Sequence, residues 1–193
     1  MNVKLSAAIL AGGAATRFDG KVKSKIIIDG ETIISRIISV LRDLFDELII
    51  VTNNPEEFSS FNFCNIVRDE ILNAGPLGGI HAAMKASSND SVFVFAGDMP
   101  FLDRDIIINL LDTYKGSDCD GLIPVIEEYM EPLHAIYRIS LAGNLESYLR
   151  SNQSFAVRDY IKTLNVRYFK LEDSERNKIA FTNINSATDI DLF

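Results

Sequence analysis

Along most of this chain, short apolar runs alternate with segments of helical spacing, and the runs stop at glycine, asparagine or aspartate. This alternation restricts the fold more than any other feature of the sequence. Residues 3–10 form a mostly apolar run, residues 48–51 a second, and residues 91–96 a strongly apolar third that ends at Gly97-Asp98. Runs of this length without regular polar alternation read as strands buried on both faces. Between the first two, residues 31–45 carry apolar side chains at 33, 34, 37, 38, 41, 44 and 45, the spacing of a helix with one buried face. Gly75-Pro76-Leu77-Gly78-Gly79 breaks the chain before an Ala-rich helix expected over 80–86, and Asp103 is placed to cap a helix over 104–114. Further strands are expected at 65–68, 121–126, 133–137 and 166–169, and further helices at 141–149, 155–164 and 187–192.

This pattern predicts an α/β fold of Rossmann-like, three-layer type: a mainly parallel central sheet with helices on both faces. At 193 residues, 47% of them hydrophobic, the chain suffices for one domain with a full core and is short for two, so a single domain over 1–193 is expected. In such folds ligands sit beyond the carboxyl ends of the strands. The glycine loop that begins at Gly12, the pair Asn53 and Asn54, Asp69, the 75–79 segment and Asp98 all follow predicted strands, so they are expected along one edge.

The segment Leu10-Ala11-Gly12-Gly13-Ala14-Ala15-Thr16-Arg17-Phe18-Asp19-Gly20-Lys21-Val22-Lys23 has the chemistry of a site for a nucleoside triphosphate. Gly12 and Gly13 leave backbone N–H groups open to an anionic ligand, and Arg17, Lys21 and Lys23 supply charge against phosphates. Neither common phosphate motif is present. The Gly13 to Gly20-Lys21 spacing and Val22 do not fit a P-loop, and adjacent Gly12 and Gly13 with no third glycine do not fit the dinucleotide fingerprint.

Asp98, in Ala96-Gly97-Asp98-Met99-Pro100, is expected at the tip of a buried strand, where its carboxylate can hold Mg²⁺ beside triphosphate oxygens or simply cap a turn. Asp69 can accept hydrogen bonds from a nucleoside sugar or base, or pair with Arg68. The small residues at 75–79 allow a flat base or ribose to approach the backbone. Asn183 and Asn185 alternate so as to share one side of an extended segment, where one could add a neutral oxygen ligand for Mg²⁺ or act as a helix cap.

Other chemistries are disfavoured. His81 and His134 are the two histidines, and neither has a Ser or Cys partner at a nucleophile turn, so a triad hydrolase is not expected; His134, at the start of a strand, reads as a core or surface residue, with contact to an acceptor substrate as the alternative. Cys64 and Cys119 lie far apart without ligands at metal spacing, so neither a zinc site nor a disulfide framework is expected. A net charge of -8 without a long basic run argues against nucleic acid or an anionic membrane as partner. The absence of a long apolar segment or a leader-like amino terminus points to a cytoplasmic protein.

Taken together, these residues resemble the nucleotidyltransferases of the molybdenum cofactor guanylyltransferase type (MobA). The opening Leu-Ala-Gly-Gly, three residues, Arg, and a Lys six after the Arg match Leu10 to Gly13, Arg17 and Lys23. Lys23 also lies seven residues before Gly30, which selects it over Lys21 and Lys25 as the signature lysine. The likeness continues through Asp69, residues 75–79, Asp98 before Met99-Pro100, and Asn183-Ile184-Asn185, and so covers nearly the whole chain. Val22 and Asp19 depart from the Asp and Gly usual at those places, and Thr52 stands where the family has a nucleotide-binding Asn, with Asn53 and Asn54 next to it.

The resemblance implies a nucleotide-diphospho-sugar transferase type of fold, with a nucleotide-binding half at about 1–100 and an acceptor half at about 101–193. It implies that Leu10, Ala11, Gly12, Gly13, Lys23, Thr52 or Asn53, Asp69, Gly75, Pro76, Leu77, Gly78, Gly79 and Asp98 surround the nucleotide, that Arg17, Lys23 and Asp98 serve the transfer, and that Asp98 and Asn185 hold Mg²⁺. The implied reaction moves GMP from GTP to molybdopterin cofactor and releases pyrophosphate, with transient contact to other molybdenum cofactor enzymes. Two other readings fit the same residues: transfer from CTP or another nucleotide to a different phosphorylated acceptor, and a nucleotide-binding regulator that does not transfer.

Overall fold

The structure is a computed structural model that describes residues 4–12, 17–18, 21–151, 154–184 and 189. In chain order its elements are β1 (Leu5–Leu10), the short hairpin β2 (Arg17–Phe18) and β3 (Lys21–Val22), a second hairpin β4 (Ile27–Ile28) and β5 (Glu31–Thr32), α1 (Ile33–Leu41), β6 (Leu48–Val51) and β7 (Asn65–Val67). There follow α2 (Gly75–Ala86), β8 (Ser91–Ala96), α3 (Arg104–Tyr114), β9 (Gly121–Ile126), β10 (Tyr129–Met130), β11 (His134–Arg138), α4 (Ala142–Arg150), α5 (Val157–Ile161), β12 (Val166–Leu171) and α6 (Glu175–Ala180).

One sheet of eight strands organises the molecule. β1 lies between β6 and β8, parallel to both, and β7 extends the sheet parallel to β6. The other half turns over: β11 runs antiparallel to β8 and β9, while β12 returns parallel to β9 along its full length. The expected mainly parallel sheet is therefore present, with an antiparallel insertion where the short β9-β10-β11 connections leave no room for a crossover helix.

Alternate residues of the central strands face opposite helical layers. Ala7, Ile9, Ile50, Phe93 and Phe95 pack with α1 and α3 on one face. Ala8, Leu10, Ile49, Val51, Val92 and Val94 pack with α2, α4 and α5 on the other. Both faces are covered, so the central strands are apolar apart from the buried Ser6 and Ser91.

Several boundaries differ from the sequence reading. The helix expected over 31–45 is Ile33–Leu41, because Thr32 ends β5 and accepts from the Ser35 N–H as the cap. Leu44 and Phe45 still join the apolar face, but from the turn after the helix. The 75–79 segment is not a break before α2; it is that helix's first turn, with Pro76 in the first two positions, where a missing N–H costs nothing. α5 is half the length expected, and α6, with Ser174 as cap, was not anticipated because a single polar turn has too little apolar periodicity to mark it. The helix expected over 187–192 lies outside the described residues apart from Asp189.

Both cysteines are free and buried. His134 is a core residue, not an acceptor-facing one: it is fully buried, with Phe93, Phe95 and Phe181 set edge-on around its ring at 4.8–5.4 Å. Neither ring nitrogen has a hydrogen-bond partner among the described residues. Burial pushes its pKa down to about 3, with Asp103 opposing weakly. The folded value lies below the unfolded one, so the stability held by neutral His134 is present above pH ~6.5 and lost as pH falls toward the folded value, at about 1.4 kcal/mol per unit. We expect His134→Phe, which keeps the aromatic cage, to lose about 2 kcal/mol less than the parent between pH 7 and pH 5 in urea melts. Equal losses would show that His134 does not titrate on unfolding.

Candidate active site

The ends of β1, β6 and β8 remain tied together after the strands stop. The Ala11 N–H donates to the Val51 carbonyl at 2.9 Å, and the Gly97 N–H donates to the Leu10 carbonyl at 3.0 Å. A Cβ on Gly12 would lie 3.1 Å from Thr52 Cα and 3.3 Å from Asn53 N, so the loop leaving β1 runs directly over the backbone leaving β6. Helix α2 closes the same corner from one side. A Cβ on Gly79 would sit 3.2 Å from Leu10, and one on Gly78 would sit 3.0 Å from the Ile71 carbonyl and 3.9 Å from the Asp69 carboxyl carbon. Leu10, Ala11, Gly12, Thr52, Asn53, Asp69, Gly78 and Gly79 thus form one continuous neighbourhood at the carboxyl edge.

Its polar groups are sorted by burial. Thr52 is fully buried, and its Oγ1 accepts from the Asn54 N–H at 3.2 Å, so this side chain shapes the turn. Asn53 is exposed and its Nδ2 donates to Asp69 Oδ2 at 3.1 Å. Of Thr52 and Asn53, then, the latter presents its side chain beside Asp69. Desolvation raises the Asp69 pKa, and the Asn53 hydrogen bond works against that rise. Leu77 is buried while Gly75 and Pro76 are exposed, and Gly75 has a φ of +57°, a conformation that favours glycine. No side chain caps α2. The N–H groups of its first turn therefore have no side-chain acceptor among the described residues, an arrangement suited to a polar or anionic ligand.

Asp98 follows β8 by two residues and is only partly exposed. Desolvation raises its pKa, and the nearby Lys23 ammonium lowers it in opposition. Lys23 begins a 3-10 turn over Lys23–Lys25. Lys25 is directed elsewhere, with Glu57 at 3.3 Å and its ammonium 5.7 Å from the centre of the Phe58 ring. Of Lys23 and Lys25, then, Lys25 is engaged with Glu57 and Phe58, while the charge of Lys23 is felt at Asp98. The Asp98 carbonyl accepts from the Ile184 N–H at 2.8 Å, which brings the Asn183-Ile184 segment alongside. Asn185 and Gly13 lie outside the described residues, and Arg17 is placed by backbone alone, paired with Val22 in the β2-β3 hairpin.

Two groups at this edge have a place that the sequence reading does not assign. Gly97 carries the contact between the β1 and β8 ends, and its place just before the aspartate was the available signal. Glu131 lies in the turn that enters β11, where Leu133 pairs with Ala96. Burial raises its carboxyl to about 7, with Arg158 opposing. A single glutamate has no sequence partner to mark it. His81 sits buried in α2 with Glu146 3.8 Å from its Nε2, so neither histidine belongs to a nucleophile arrangement.

No three His, Cys, Asp or Glu side chains converge to form a metal cage among the described residues. A single half-buried carboxylate whose ionised form is penalised by desolvation fits a cation that takes most of its oxygens from phosphate and water. No helix among the described residues is long and apolar enough to cross a membrane.

Known proteins resemble this chain in sequence and fold. The MobA-like NTP transferase domain matches residues 7–167. A probable molybdenum cofactor guanylyltransferase from Clostridium perfringens is 38% identical, over 83% of this chain and 79% of that protein. One from Natranaerobius thermophilus is 34% identical, over 99% of this chain and 95% of that protein. The crystal structure of molybdopterin-guanine dinucleotide biosynthesis protein A from Archaeoglobus fulgidus superposes with a TM-score of 0.80 at 28% identity, covering 97% of this chain and 95% of that one. The matched span contains Lys23, Asp69, α2 and Asp98 on a shared fold, and the chain belongs to the MobA-like NTP transferase family of nucleotidyltransferases.

Proposed function

We propose that this protein transfers GMP from GTP to the phosphate of molybdopterin cofactor, giving the guanine dinucleotide cofactor and pyrophosphate, with Mg²⁺ as cofactor. The observation that carries this reading is that Asp98, within electrostatic reach of Lys23, lies at the same sheet edge as Gly12, Asn53, Asp69 and the first turn of α2. The names of the relatives support GTP and molybdopterin as the substrates.

The reaction needs no enzyme nucleophile. An oxygen of the acceptor phosphate forms a bond to the α-phosphorus of GTP, the bond from that phosphorus to the bridging oxygen breaks, and the electron pair leaves with pyrophosphate. The acceptor is already anionic at neutral pH, so the protein's task is alignment and charge neutralisation. The nucleoside is taken up between Leu10, the Asn53-Asp69 pair and the first turn of α2. Lys23 and Arg17 offset charge on the phosphates. Asp98 and Asn185 are the residues that would hold Mg²⁺, which neutralises phosphate charge when bound.

The nucleotide is tested by thermal shift with GTP, CTP, ATP and UTP, each with Mg²⁺. A ligand at one hundred times its dissociation constant stabilises by about 2.7 kcal/mol, which in a chain of this size moves the midpoint by roughly 5–10 °C. GTP is expected to give the largest shift. A larger shift with CTP would replace the guanylyl reading by a cytidylyl one.

A further inference from the structure

We propose that Arg176 is a positioning residue for the metal end of the site: it fastens α6, and through it the Asn183-Ile184 segment, against the loop that carries Asp98. This rests on the reading of Asp98 as the carboxylate that holds Mg²⁺.

The two segments involved are 98–103 and 176–184, and they are tied at both ends. At one end the Arg176 guanidinium donates from Nε to Asp103 Oδ2 at 2.6 Å and from Nη2 to Asp103 Oδ1 at 3.1 Å, and Nη2 also donates to Asp105 Oδ2 at 2.6 Å. At the other end the Ile184 N–H donates to the Asp98 carbonyl at 2.8 Å. Between these ties, Ala180, Phe181 and Ile184 are buried, and the Phe181 ring stands edge-on to His134 at 4.8 Å. One side of this frame holds Asp98, and the other carries Asn183 and Ile184.

Helix α6 has six residues, too few to hold its shape alone, so tertiary contacts must set its position. Exposed ion pairs as a class contribute little, but this one departs from the class. The Asp103 side chain is only 13% exposed. Its Oδ1 also accepts from the Asp105 and Ile106 N–H groups as the cap of α3, so the guanidinium meets a carboxylate already fixed in place. A planar fork on a fixed carboxylate transmits orientation, which a flexible surface pair does not.

The test uses the full chain with Mn²⁺ as the probe, the free ion being counted by electron paramagnetic resonance, together with turnover as a function of Mg²⁺. Arg176→Ala is expected to weaken Mn²⁺ binding roughly 10-fold, the scale seen for residues that orient metal ligands, and to raise the Mg²⁺ needed for half-maximal turnover by a similar factor. GTP affinity in EDTA is expected to stay within about 2-fold, because the nucleoside contacts lie on β1, β6 and α2. Arg176→Lys, which keeps the charge but not the fork, should fall between the two.

Asp98→Asn is the control that separates the two levels of the reading. If it binds Mn²⁺ as the parent does, the metal assignment fails and the clamp fails with it. If it loses Mn²⁺ while Arg176→Ala binds normally at an unchanged melting temperature, the clamp alone is overturned. A uniform loss of GTP and Mn²⁺ binding in Arg176→Ala that Arg176→Lys does not restore would also overturn it, since that is general unfolding and not positioning.

Discussion

Asp98→Asn is expected to lower turnover by roughly 10²–10³-fold while leaving the melting temperature at pH 7 unchanged or slightly raised. The two halves of this expectation have one cause. Asp98 is half-buried, and desolvation raises its pKa despite the opposing Lys23. A folded value above the unfolded one means that the stability of the neutral form is present at low pH and is lost as pH rises through the folded value. At pH 7 the ionised group therefore costs stability, and the neutral, nearly isosteric amide removes that cost together with the charge. The same sign governs activity at limiting Mg²⁺: the carboxyl must lose its proton before it can hold the cation, so turnover there falls on the acid side at a pH above the ordinary carboxylate range. Lys23→Ala removes the cation that favours ionisation, so besides slowing turnover it should move this acid limb to higher pH. Pyrophosphate release measured from pH 5 to 8 for the parent and both variants would show these effects. An acid limb that stays fixed in Lys23→Ala would contradict the coupling.

Among the described glycines, Gly97→Ala is expected to be the most damaging substitution. Its Cβ would lie 2.7 Å from the Leu10 carbonyl oxygen and 3.1 Å from Ala11 Cα. Both contacts are backbone atoms within the central strand pair, and the Gly97 N–H is itself bonded to that carbonyl, so no side chain can rotate to make room. Overpacking of this kind costs about 2–3 kcal/mol, or roughly 5–10 °C in a chain of this length. Turnover should fall beyond what the fraction folded explains, because the displaced peptide connects directly to Asp98 and to the phosphate loop. Gly143→Ala, on the exposed start of α4 with open space around it, is the matched control and should be nearly neutral or slightly stabilising. If Gly97→Ala melts like the parent, the close approach of β1 and β8 is not as tight as described.

The parallel half of the sheet was legible because its strands are buried on both faces and so carry unbroken apolar runs. Their ends could be placed by glycine and aspartate, and the topology then brought Gly12, Asn53, Asp69 and Asp98 to one edge. The limits were equally physical. Residues 75–79 look like a break, yet Pro is favoured in a first turn and the glycines are needed where α2 presses on Leu10 and Asp69. α6 is too short to show a period, and its position depends on Arg176 reaching Asp103, 73 residues away, which no local pattern reveals. His134 could not be placed by type alone, since an imidazole serves a ligand site or an aromatic core equally well. Choosing among Thr52, Asn53 and Asn54 required burial: Thr52 turns inward to the Asn54 N–H, and Asn53 is left beside Asp69.

The central claim is tested most directly by mixing the protein with GTP, Mg²⁺ and molybdopterin cofactor and measuring pyrophosphate against the dinucleotide cofactor formed. The expected result is equimolar release of pyrophosphate and formation of the guanine dinucleotide, dependent on the acceptor and faster with GTP than with CTP. Binding of GTP with no pyrophosphate released would contradict it, as would faster release from CTP.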